Sequence, residues 1–156
     1  MTTIQLITEE GIQMDAIRQL FRSYEKELGE NLCFQSFEEE LKDPLKKYGS
    51  PHGVLYLAMY NNEPAGCIAL TPLPEEGVCE MKRLYVKPEY RRYKIGRELV
   101  KLLLNDAVKL GYKKMKLDTL EKLQAAIALY KQYGFRETTA YYENPLKGVV
   151  YMEKEL

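Results

Sequence analysis

Four cations crowd the stretch Arg91-Arg92-Tyr93-Lys94-Ile95-Gly96-Arg97. It leads into a run whose apolar residues, Ile95, Leu99, Leu102, Leu103, Ala107 and Leu110, recur at helical spacing until Gly111 ends it. A helix start presents unpaired N–H groups and partial positive charge, and favours acidic residues by about 0.3–1 kcal/mol each. Clustered Arg and Lys are therefore unfavourable there unless an anion joins them. A pyrophosphate satisfies the side chains and the backbone donors together. Gly96 fits the same chemistry, because a missing side chain lets a ligand approach the helix backbone. The plainer alternative is a solvated basic turn with its counterions.

Other reactive side chains give weaker signals. Cys33, Cys67 and Cys79 are odd in number, widely spaced and without a CxxC, which fits reduced thiols better than disulfides or a zinc site. His52 is the one histidine and has no Ser or Cys nucleophile elbow nearby, so it reads as a surface residue and no metal is expected. Cys79 beside Glu80 reads as inert strand packing rather than a nucleophile.

These residues need elements to hold them. Residues 3–7 read as a strand and 11–28 as a helix, with Ile12, Ala16, Ile17, Leu20, Phe21 and Tyr24 on its apolar face. Residues 34–48 read as one or two short helices broken near Pro44, with Ser36 before an acidic first turn. Residues 54–60 and 65–72 read as antiparallel strands joined by Asn61-Asn62-Glu63-Pro64. In the next strand, 78–86, the alternation changes phase: Cys79 and Met81 are offset from Leu84 and Val86 by an odd number of residues. One extra residue near Lys82-Arg83, a β-bulge, reconciles them. A strand at 115–120, a helix at 123–133 ended by Gly134, and strands at 135–138 and 149–153 complete the chain.

Val86-x-Pro88-x-Tyr90-Arg91-x-x-x-x-Gly96 after a strand resembles motif A of the GNAT superfamily of N-acetyltransferases. Arg91 matches the leading cation and Gly96 the final glycine, while Lys94 stands where the family usually has its first glycine. Ala126-Ile127-Ala128-Leu129-Tyr130-Lys131-Gln132-Tyr133-Gly134-Phe135 resembles motif B, with Leu123 where many relatives have Asn. The resemblance implies an α/β (α+β) fold, a mixed, twisted sheet of about six to seven strands flanked by helices on both faces. It also implies acetyl-CoA as co-substrate and a primary amine, small or peptidic, as acceptor.

By this resemblance the turn Arg91, Arg92, Tyr93, Lys94, Ile95, Gly96 and Arg97 holds the pyrophosphate. The backbone of Leu84, Tyr85 and Val86 bonds the pantetheine arm and the thioester carbonyl, with the donor between splayed strands near Leu84 and Leu117. Tyr130 is then the general acid that protonates the leaving thiolate. A phenol of pKa about 10 suits a thiol of about 8.5; a core tyrosine with a wet hydroxyl is the alternative. Glu80, on the bulged strand, is the candidate base, directly or through water, with a cross-strand ion pair as the alternative. Tyr142 and Asn144, in the last loop, are candidates for contacting the acceptor, beside the plainer reading of an Asn-Pro turn.

Composition bounds the rest. With 156 residues the chain suits one domain, 1–156. Lys plus Arg and Asp plus Glu each number 23, so no global field draws it to nucleic acid or a membrane surface. The start of the sequence has no signal-peptide pattern and no stretch approaches a membrane span, which places the protein in the cytoplasm. Homodimerisation is implied by the resemblance alone. Two other classes stand beside the enzyme: a non-catalytic CoA-binding or regulatory module, motivated by Lys94 and Leu123, and a nucleic-acid-binding domain using the basic turn, against which the neutral total charge argues.

Overall fold

A computed structural model of the chain describes residues 1–32 and 35–156. Cys33 and Phe34, and with them the first residue of the expected helical stretch 34–48, lie outside the described residues. The elements in order are β1 (Thr2–Leu6), α1 (Ile12–Leu28), α2 (Phe37–Lys42), α3 (Pro44–Tyr48), β2 (Val54–Tyr60), β3 (Glu63–Pro72), β4 (Val78–Val86), a 3₁₀ turn (Pro88–Tyr93), α4 (Ile95–Lys109), β5 (Lys114–Leu120), α5 (Gln124–Gln132), β6 (Arg136–Thr138) and β7 (Val149–Glu155). The expected break falls at Asp43, between α2 and α3, where Pro44 takes the first helical position.

The strands form one mixed sheet in the order β1-β2-β3-β4-β5-β7-β6. The first four make an antiparallel meander, β5 runs parallel to β4, and β7 is antiparallel to both β5 and β6. The β2–β3 turn is tighter than the sequence implied. Asn61 and Asn62 both have positive φ, as a two-residue hairpin turn demands, and β3 resumes at Glu63.

Helices cover both faces. On one, Ile95, Leu99, Val100, Leu103 and Ala107 of α4 pack with Ile127 and Tyr130 of α5 over Met81, Met115 and Leu117. On the other, Met14, Ile17, Leu20 and Phe21 of α1 pack with Phe37, Leu41 and Tyr48 over Leu55, Leu57 and Tyr85. Each large apolar side chain taken out of water there stabilises by about 1.5–3 kcal/mol. Three residues leave the faces their spacing assigned: Leu102 of α4 is only half-buried, outside both cores, with Val100 and Leu104 buried around it. Ile12, in the first turn of α1, is exposed with Met14 buried instead, and Leu110 falls beyond the end of α4 and is exposed.

The bulge stands where the alternation broke. Cys67 pairs with Tyr85 and Ala69 with Lys82, so one residue of β3 faces two of β4, and Arg83 takes the left-handed conformation, φ 60°. Cys79, Met81, Leu84 and Val86 consequently all face α4, while Glu80, Lys82, Arg83 and Tyr85 face the α1 side. Lys82 and Arg83, neighbours in sequence, share one face.

Candidate active site

The sheet splits at its centre. β4 and β5 pair only from Val78↔Lys114 to Glu80↔Lys116, after which residues 81–86 and 117–120 run without partners in each other. The cause lies in their other neighbours. β5 stays in register with β7 to its end, Leu120↔Val149, whereas the bulge turns β4 with β3. A cleft opens between them, lined by Met81, Leu84, Leu117 and Thr119 from the strands and by Tyr130 and Ala126 from α5. It lies where the donor was expected, around Leu84 and Leu117.

Below the cleft, β4 runs into the basic turn. Arg91 and Arg92 lie in the 3₁₀ turn that leads into α4, and Arg97 lies in the first turn of α4. Lys94 is the hinge between them. Its φ of 61° and ψ of 25° are left-handed, the conformation for which glycine is suited, so lysine occupies a backbone position shaped for the family's glycine. No side chain caps α4, so its first-turn N–H groups stay available to an anion. The cations are partly engaged: Arg91 donates to the Val86 carbonyl at 2.9 Å and to the Glu27 carboxylate at 2.6 Å, Arg92 to the Tyr93 hydroxyl, and Arg97 to Gln132. A Cβ built on Gly96 meets Leu129 and Val86 at ordinary contact distance, so the protein itself has room for one there. With uncapped donors and cations gathered at one helix start, this turn fits a pyrophosphate.

Tyr130 is 6% exposed, packs edge-on against Phe135 and lines the cleft from the α4 side. The motif B glycine holds it there: Gly134 takes φ 94° to end α5, and the Phe135 N–H turns back to the Tyr130 carbonyl at 3.0 Å. Among the described residues nothing hydrogen-bonds its hydroxyl. Burial, then the nearby Tyr24 and Asp118, pushes the phenol far above its usual pKa, so it stays protonated. Leu123 stands at the N-cap of α5 and offers it no side-chain hydrogen bond.

On the opposite face lies a polar cluster. Glu80 is 6% exposed and accepts a hydrogen bond of 2.6 Å from the Tyr141 hydroxyl. Among the described residues no ion pair joins it to Lys116, its neighbour in the β4–β5 pairing. Asp118 accepts from the Tyr142 hydroxyl and, at 2.7 Å, from Asn144 Nδ2; Gln35 Nε2 donates to Tyr142 at 3.0 Å. Tyr142 and Asn144 are thus brought to the cleft, but they first meet Asp118. Behind them Arg83 grips Glu40 through Nε and Nη2 at 2.8 and 3.0 Å, both residues being buried. Burial alone would raise the Glu40 pKa, but the Arg83 hydrogen bonds and charge outweigh it and hold the carboxyl below its usual range.

Acid and base candidates consequently lie on opposite faces, joined through the split. Sequence reasoning placed Tyr141 in the last loop beside the acceptor candidates but missed its bond to Glu80, and it missed Asp118, Glu40 and the Lys82–Arg83 pairing on one face. The alternation Lys116-Leu117-Asp118 carried the signal for Asp118, since it sets that residue on the face opposite Leu117. Elsewhere, burial raises the Cys79 thiol to about 12, in keeping with packing, and the His52 carbonyl accepts from Tyr112 at an exposed loop. Among the described residues no group of His, Cys, Asp and Glu is assembled to hold a metal ion, and no helix is long and apolar enough to cross a membrane.

Known proteins share both sequence and fold. The model of the acetyltransferase (GNAT) family matches residues 14–135. An uncharacterised N-acetyltransferase of Schizosaccharomyces pombe is 46% identical over 144 residues, covering 92% of this chain and 88% of that protein. Among solved structures, an acetyltransferase from Streptococcus agalactiae superposes with a TM-score of 0.83 at 19% identity, covering 99% of this chain and 98% of the other. The PaiA N-acetyltransferase of Thermoplasma acidophilum, solved in complex with coenzyme A, does so at 0.74 and 19%, covering 99% of each. With the split sheet, the bulged β4 and both motifs in place, the chain belongs to the GNAT family of acetyl-CoA-dependent acetyltransferases.

Proposed function

We propose that the protein transfers an acetyl group from acetyl-CoA to a primary amine by direct attack within a ternary complex. One observation carries this reading: the sheet opens between β4 and β5 with Tyr130 on one face of the gap and Glu80 on the other. A thioester lying in the gap exposes its carbonyl carbon to an amine arriving from the Glu80 side. Its sulfur then leaves toward Tyr130.

Glu80 takes the ammonium proton, directly or through a water, while Tyr141 orients its carboxylate. Backbone N–H groups of the unpaired end of β4, over Leu84 to Val86, hold the pantetheine arm and the charge that develops on the carbonyl oxygen. The turn from Arg91 to Arg97 and the first N–H groups of α4 hold the pyrophosphate. Burial makes Tyr130 a weaker acid than the free phenol the sequence suggested, so it keeps its proton until charge builds on sulfur, gives it up as the C–S bond breaks, and is reprotonated by the second proton that the acylated nitrogen releases. Tyr142 and Asn144, fixed by Asp118, form the acceptor side. We read residues 1–156 as one catalytic domain, and the free, buried Cys67 and Cys79 suit a reducing compartment such as the cytoplasm.

The test is thermal unfolding with and without acetyl-CoA, for the wild type and for Arg91→Ala with Arg92→Ala. A hundredfold excess over Kd adds about 2.7 kcal/mol in the wild type, and the double variant loses most of that increment. A folded wild type that acetyl-CoA leaves unshifted would sink the proposal.

A further inference from the structure

Within the cleft, nearly every charged group on the α1 side has a partner. Arg83 and Lys47 both reach Glu40, Glu80 is held by Tyr141, and Asp118 by Tyr142 and Asn144. Lys82 is the exception. It is 6% exposed, lines the cleft, and among the described residues makes neither an ion pair nor a side-chain hydrogen bond. The bulge is responsible, because it places Lys82 on the same face as Arg83, which has already taken the buried carboxylate. The Glu80 and Asp118 charges act on the ammonium from a distance, but each carboxylate is already hydrogen-bonded to a tyrosine and neither touches Lys82. A buried ammonium without a contacting partner is costly, and a ligand carboxylate would supply one. Nearby, Gln35 Oε1 is buried and meets no donor among the described residues.

Resting on the acetyltransferase reading above, we infer that the acceptor is an amine that also carries a carboxylate, and that Lys82 binds that carboxylate. Glu80 and Lys82 lie two residues apart on one face, roughly 7 Å along the strand. The amine and carboxylate of one small molecule span that distance, the amine at Glu80 and the carboxylate at Lys82. Burial lowers the Lys82 pKa to about 8, so the ammonium is still charged at neutral pH and available for such a pair. A purely cationic acceptor, by contrast, leaves Lys82 unpaired and adds a like charge beside it.

The experiment compares matched amines in coenzyme A release at saturating acetyl-CoA. Leucine, phenylalanine and lysine are each set beside the α-carboxamide, and 4-aminobutyrate beside butylamine. Binding of each to the CoA complex is followed by thermal unfolding. The expected result is a preference of roughly ten- to hundredfold in kcat/KM for the carboxylate-bearing member of at least one pair. Lys82→Met and Lys82→Gln abolish it by raising KM for that member alone, while the stabilisation by acetyl-CoA is kept. Equal turnover within every pair, or a preference for the uncharged or doubly cationic members, overturns the inference. So does a protein that acetyl-CoA stabilises but that neither binds nor acetylates any carboxylate-bearing amine. Failure of acetyl-CoA to stabilise the wild type overturns the acetyltransferase reading instead.

Discussion

At the residue scale, Tyr130 and Lys94 make separable predictions. Tyr130→Phe removes a hydroxyl that hydrogen-bonds nothing in the described structure, so unfolding midpoints should stay close to wild type. The acyl-transfer rate should fall about a hundredfold or more, with little change in the KM for acetyl-CoA. A rate that holds steady assigns Tyr130 to packing. Its raised pKa also means that its ionisation sets no limb of the pH profile below the far alkaline range. Lys94→Gly relieves a left-handed non-glycine residue and should stabilise the fold by about 1 kcal/mol, read from urea unfolding. A loss of stability would mean that the lysine side chain compensates the backbone cost. Both positions were legible from motif spacing. The conformation of Lys94 was not, because its φ is set by how the 3₁₀ turn docks onto α4.

At the element scale, the bulge and the split depend on how closely β3 lies against β4. Gly66 pairs with Val86, and a Cβ there would stand 2.7 Å from the Tyr85 carbonyl oxygen. The neighbour is backbone and cannot swing aside. Gly66→Ala should therefore cost about 1–3 kcal/mol and, on the proposed donor site, weaken acetyl-CoA binding by displacing the end of β4. Unfolding and acetyl-CoA titration check the two effects, and a neutral outcome in both would refute the dependence. The bulge itself was readable, because the phase of Cys79 and Met81 against Leu84 and Val86 leaves no other solution for a strand with one apolar face. What stayed hidden was the splay of β5 from β4, which follows from the register of β5 with β7, a strand that lies far along the chain.

Across the whole molecule, two buried charges shape stability against pH. Glu40 has a lowered pKa in the fold, so the unfolded chain binds more protons as acid is added. Its contribution is full above the usual carboxyl pKa and is lost as pH falls through the folded value. Glu40→Gln should flatten the acid limb of the unfolding profile and, by leaving Arg83 buried without its counter-charge, destabilise by about 3–5 kcal/mol at neutral pH. Lys82 has the opposite signature: its folded pKa is about 8 against the usual 10.5, so stability should rise between those values as the unfolded chain alone keeps the proton. At pH 7 the buried ammonium costs on the order of 3 kcal/mol. Lys82→Met should recover part of that and erase the alkaline rise, and a profile identical to wild type would place the ammonium in water. The sequence by itself determined the elements and the bulge, because periodicity and turn chemistry are local properties of the chain, and resemblance to two family motifs singled out the basic turn and Tyr130 as candidates. Only the tertiary structure decided that Glu80 meets Tyr141, that Arg83 consumes Glu40, and that Lys82 is left unpaired in the cleft. Those outcomes depend on which side chains the fold brings from distant elements within reach of a shared buried charge, and no local pattern encodes that.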